Sequence, residues 1–119
     1  MAHVSIDADL LHVQLEKAEQ LGALHGGLDI PLEHVASART VADLWSELKG
    51  LRAPGTGIPG VIMLGTTRYD GKKDFCAVYK HRPGIVIELR DEAFARVLVS
   101  LPETDAQAIA TQLNGASGV

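Results

Sequence analysis

Apolar residues in this chain come in short bursts, cut by turn residues before any burst could fill three turns of helix. Val61-Ile62-Met63-Leu64, Phe75-Cys76-Ala77-Val78, Ile85-Val86-Ile87 and Val97-Leu98-Val99 are separated by Asp70-Gly71, Pro83-Gly84 and Arg90-Asp91-Glu92. Bursts of three or four such residues between turn signals fit strands and are short for buried helices. The second half of the chain is therefore expected to form a four-stranded antiparallel meander over Val61–Arg68, Asp74–Lys80, Ile85–Leu89 and Phe94–Leu101, with Asp70-Gly71 as the strongest hairpin signal. None of these runs approaches the ~20 apolar residues of a membrane-spanning helix, so an integral membrane protein is not expected.

The first half mixes periods. Val4 and Ile6 hint at a strand, and Asp7-Ala8-Asp9 reads as a turn. Leu11, Val13 and Leu15 alternate with Leu10, His12 and Gln14, the pattern of a half-buried strand. A short helix over Glu16–Leu24 is predicted to end at Gly26-Gly27. Leu28, Ile30 and Leu32 alternate again, with Pro31 placing that strand at a sheet edge or a bulge. Val41, Leu44, Trp45 and Leu48 then lie at helical spacing, with Thr40 as N-cap and Gly50 as stop. Ala53-Pro54-Gly55-Thr56-Gly57-Ile58-Pro59-Gly60 reads as an ordered surface loop. At the end, Pro102 and Thr104 open a helix whose buried stripe is Ala106, Ile109, Ala110 and Leu113, with Thr104–Gln107 as a capping box.

With 119 residues, the length suits one domain spanning 1–119, its core at about 4–113 and a frayed tail at 114–119. A single cysteine rules out an intrachain disulfide and a Cys-rich zinc site, and it suits a reducing cytoplasm. Met1 is followed by polar and charged residues, so no secretion signal is expected.

Three strands, a long excursion, four strands and a closing amphipathic helix: this order resembles the small bacterial pleckstrin-homology (PH)-like domain proteins of unassigned function. The residues that carry the likeness are Ile30-Pro31-Leu32 with Val35, Gly60–Thr66, Phe75–Val78, Ile85–Leu89 and Val97–Leu101 leading into the helix. The resemblance implies a mainly β fold, a seven-stranded partly open barrel or sandwich capped by the C-terminal helix. It also implies a peptide-binding or oligomerising role. Phosphoinositide binding is not expected, because the corresponding first turn, Asp7-Ala8-Asp9, is acidic and no Lys or Arg precedes Lys17.

Charge is unevenly placed. Arg39–Arg82 holds eight basic and four acidic residues, whereas the rest of the chain holds three and eleven, for a net charge of −4. Lys72, Lys73, Lys80 and Arg82 read as solvated turn residues or as a steering patch for an anionic partner or a second copy. An acidic chain with Tyr69 and Tyr79 as the aromatics near those cations does not read as a nucleic-acid binder.

Gly55, Thr56 and Gly57 with Arg52 form an anion-binding alternative, but no Lys follows the glycines as a phosphate loop demands. His25 and His34 lack zinc-site spacing, so no metal and no cofactor is expected. Cys76 sits mid-strand between Phe75 and Ala77, as a buried thiol does, and no nucleophile elbow occurs. An enzyme is not indicated. The leading expectation is a non-enzymatic interaction or oligomerisation module. It would bury Trp45, Leu48 and Leu51 against a protein partner or a second copy, with Arg52 as a polar guide.

Overall fold

The computed structural model describes residues 2–23, 26–58 and 60–116, with backbone alone at 22–23, 51–55 and 116. The first three strands, β1 (His3–Asp7), β2 (Leu10–Gln14) and β3 (Leu28–Pro31), form one antiparallel sheet in the order β1-β2-β3. Register pairs Ile6 with Leu11 and Leu11 with Ile30, so the alternation in β2 is borne out: Leu11 and Val13 are fully buried, and Gln14 is exposed. Ala8 takes a positive φ in the β1–β2 turn, and Pro31 ends the outermost strand. Between β2 and β3 runs the short helix α1 (Lys17–Ala23), whose first turn is capped when Glu19 Oε1 accepts the Glu16 N–H at 2.9 Å.

A six-stranded sheet follows. Its members are β4 (Val35–Val41), β5 (Leu51–Ile58), β6 (Ile62–Tyr69), β7 (Lys72–Tyr79), β8 (Gly84–Leu89) and β9 (Arg96–Ser100), in the spatial order β4-β8-β9-β7-β6-β5. Three features of the expected meander are corrected here. Strand β9 inserts between β7 and β8, running parallel to β7 with Phe75 opposite Val97 and Cys76 opposite Leu98. All five residues of β9 are buried, and a strand without a polar face belongs at a sheet centre. The excursion supplies both outermost strands, which raises the count from seven to nine. The segment read as a loop at Ala53–Gly60 is mostly strand: β5 pairs with β6, Thr56 opposite Leu64, with a register shift between Arg52 and Gly55. A bulge on an outermost strand is where Pro and Gly are tolerated in a sheet.

The sheet is apolar on both faces. Phe75, Ala77, Ile85, Ile87, Val97 and Val99 turn inward, where they meet Leu11, Val13 and Ile30 of the small sheet and Ala106, Ala110 and Leu113 of the C-terminal helix α2 (Glu103–Ala116). Their neighbours Cys76, Val78, Val86 and Leu98 turn outward into a second cluster with Leu44. The fold is mainly β, as expected, and the two sheets pack as a sandwich with α2 rather than closing into a barrel. Helix α2 does not stop at Asn114. Its last turn brings the Asn114 side chain against β4, where Oδ1 accepts the Ala38 N–H and Nδ2 donates to the Ala38 carbonyl, both at 3.0 Å. No helix among the described residues is long and apolar enough to cross a membrane.

Candidate functional site

The outer cluster is covered by a single 3-10 turn, Leu44–Glu47, in place of the helix expected over Val41–Leu48. Val41, a β-branched residue, stays in β4 opposite Gly84, and the cap is Asp43 rather than Thr40. Asp43 Oδ1 accepts the Trp45 N–H at 3.1 Å, Ser46 Oγ donates to the Asp43 carbonyl at 2.7 Å, and the Leu44 N–H donates to the Arg82 carbonyl at 2.9 Å. His81 Nδ1 lies 2.8 Å from Asp43 Oδ2; this hydrogen bond, opposed by partial desolvation, holds the Asp43 carboxyl below its usual range. Leu44 drops fully into the cluster, whereas Trp45 and Leu48 remain half-buried at its rim. The Trp45 ring lies 6.1 Å from that of His81.

A polar network at one end of this face escaped the sequence reading. Asp74 is fully buried and Arg96 is 5% exposed. Arg96 Nε and Nη2 both donate to Asp74 Oδ2, at 3.0 and 2.7 Å, and Nη2 also donates to the Glu47 carbonyl at 3.0 Å. Tyr69 donates its hydroxyl to Asp74 Oδ1 at 3.0 Å, and Arg39 Nη2 reaches Glu47 Oε1 at 2.5 Å. Burial opposes the Arg96 charge, but the hydrogen bond to Asp74 and the carboxylate's field outweigh it and keep the guanidinium more basic than usual. The hydrogen bond from Arg39 is the largest influence lowering the Glu47 carboxyl. The available signal was parity: Asp74 shares a face with Cys76 and Val78, and Arg96 shares one with Leu98, so two opposite charges fall within otherwise apolar rows.

Of the remaining sequence candidates, Arg52, Gly55, Thr56 and Gly57 lie on β5, an extended strand rather than a curled glycine loop with converging N–H groups. The side chains of Leu51 and Arg52 lie outside the described residues, as does His25. His34 bonds through Nδ1 to Glu92 Oε2, and this contact holds its imidazole above the usual pKa against some desolvation. Among the described residues no group of three His, Cys, Asp or Glu side chains is placed to hold a metal ion. Cys76 is buried, and desolvation pushes its thiol up to about 12, so it carries no thiolate at neutral pH.

What this arrangement can do is present a fixed, partly apolar rim. The turn is tied down at Asp43, Leu44 and Glu47, so Trp45 and Leu48 are held rather than free to fold away. No family model matches the chain, and neither a curated protein nor a solved structure matches it.

Proposed function

We propose that this protein is a non-catalytic interaction module of the PH-like kind, which engages a protein partner or a second copy through the rim around Trp45. The observation that carries the reading is the second apolar cluster on the outer sheet face, covered by four residues of 3-10 turn with Trp45, Leu48 and Met63 half-buried about it. A held tryptophan at the edge of an apolar cluster has the properties of an interface anchor: large area, little conformational entropy to lose, and a polar N–H. A lone, buried cysteine suits a protein working in the cytoplasm.

Native mass spectrometry of the freshly purified, untagged protein is the test. We expect a discrete oligomer or a co-purifying protein, with Trp45→Ala weakening that association by about 30-fold or more, the usual scale for a tryptophan hot spot. A Trp45→Ala protein that stays folded and keeps both oligomeric state and partner binding overturns the assignment.

A further inference from the structure

A broad concavity lies away from Trp45, at the end of the sheet where the β6–β7 hairpin faces the connection from Arg90 to Ala95. It is a cleft of about 780 Å³ lined by Arg68, Lys72 and Lys73 on the hairpin side and by Glu92 and Phe94 on the other, with Asp70 at the turn. That volume falls within the ~300–1,000 Å³ of ordinary ligand sites and is far more than a single small anion fills.

The walls are fixed. Asp70 and Gly71 both have positive φ, as a type I′ hairpin requires. The Ala95 N–H donates to the Lys73 carbonyl at 2.8 Å, tying the two walls together, and the Arg90 N–H donates to the His34 carbonyl at 2.8 Å. Lys73 Nζ lies 4.8 Å from the centroid of the Phe94 ring, which places its ammonium over an aromatic face instead of leaving it to wander. Phe94 itself is buried and packs edge-on to Phe75 at 5.5 Å.

Three cations, Arg68, Lys72 and Lys73, line the cleft with two carboxylates, Asp70 and Glu92. The result is a basic concavity on a chain whose net charge is −4. We propose that this cleft binds an acidic peptide segment of a partner protein, its carboxylates meeting Lys72 and Lys73 beside Arg68. Two other anionic surfaces fit less well. Asp70 stands exposed at the tip of the hairpin, where it would meet an anionic bilayer first. The aromatic rings here are engaged edge-on or beneath a lysine, which leaves no open platform for stacking bases.

The proposal does not depend on the Trp45 rim, and the experiment separates them. Full-length, ¹⁵N-labelled protein is titrated with an acetylated, amidated Glu-Glu-Leu-Glu-Glu peptide, following backbone amide shifts. We expect saturable shifts confined to residues 68–73 and 92–95, an affinity that falls as salt shortens the screening length, and a loss of about tenfold in Lys72→Glu. Lys72 is exposed next to the turn, so the variant should keep a native spectrum; Lys72→Gln should give a smaller loss in the same direction. Lys80→Glu, in the turn at the opposite end of β7, and Trp45→Ala should bind the peptide as the parent does. Shifts scattered over the surface, an equal loss in Lys80→Glu, no saturable binding, or perturbation of the cleft by phosphatidylserine vesicles but not by peptide would each overturn the proposal.

Discussion

Removing Arg96 would leave the Asp74 carboxylate fully buried with the Tyr69 hydroxyl as its side-chain donor. Breaking one partner of a buried pair costs about 3–5 kcal/mol, so Arg96→Ala should lower the urea midpoint steeply, whereas replacing both partners with apolar residues should cost less. Gly50 is constrained just as tightly. Its φ is +78°, and a Cβ there would sit 2.1 Å from the Arg68 carbonyl oxygen. Gly50→Ala should therefore cost more than the roughly 1–3 kcal/mol of backbone strain alone, by the same urea measurement. Cys76 gives a chemical check on the outer cluster. Its thiol should resist a thiol reagent in the native state and react at once after denaturation. Asp74, Arg96 and Cys76 all belong to rows that sequence shows only once strand register is known. A charge within an apolar strand can be seen from the letters, but its partner on another strand cannot, since pairing order depends on the whole sheet.

At the scale of elements, legibility followed the strength of local signals. The hairpin at Asp70-Gly71 and the alternation in β2 were readable because turn chemistry and period-two burial are local. The apolar stripe of α2 was readable for the same reason, Ala106, Ala110 and Leu113 all being buried. The placement of β9 beside β7 was not, because it is decided by non-local competition for the sheet centre. Nor was β5, whose Pro and Gly imitate a loop while the backbone pairs through a bulge. The candidate site fared similarly: Trp45 and Leu48 could be picked out, but the cap at Asp43 and the anchoring to Arg82 and Arg96 could not. One element interaction has a direct test. Asn114 occupies both backbone groups of Ala38. Asn114→Ala removes two hydrogen bonds and should cost about 1–3 kcal/mol, read as a lower thermal midpoint with earlier aggregation on heating.

The whole molecule should be most stable in mildly acidic solution. His34, raised above its ordinary 6.5 by Glu92, contributes stability that is complete below that value and is lost as pH rises through the folded pKa. Asp43 and Glu47, lowered from 3.8 and 4.5 by His81 and Arg39, contribute stability that is complete above those values and is lost as pH falls through their folded pKa values. Together these place the maximum between about 5 and 6.5, to be found by thermal melts across pH. His34→Gln should flatten the decline on the alkaline side and leave the acidic side unchanged.

The two ends of the large sheet are not alike. One outermost strand, β4, has both backbone groups of Ala38 occupied by the Asn114 amide, while α1 packs beside the other, β5. Growth of a ribbon from this sheet needs free backbone groups along an outermost strand, and at Ala38 both are already taken. A second copy adding its strand along β4 would first have to displace the Asn114 amide from Ala38, so the closing helix guards that point of the sheet against pairing between copies.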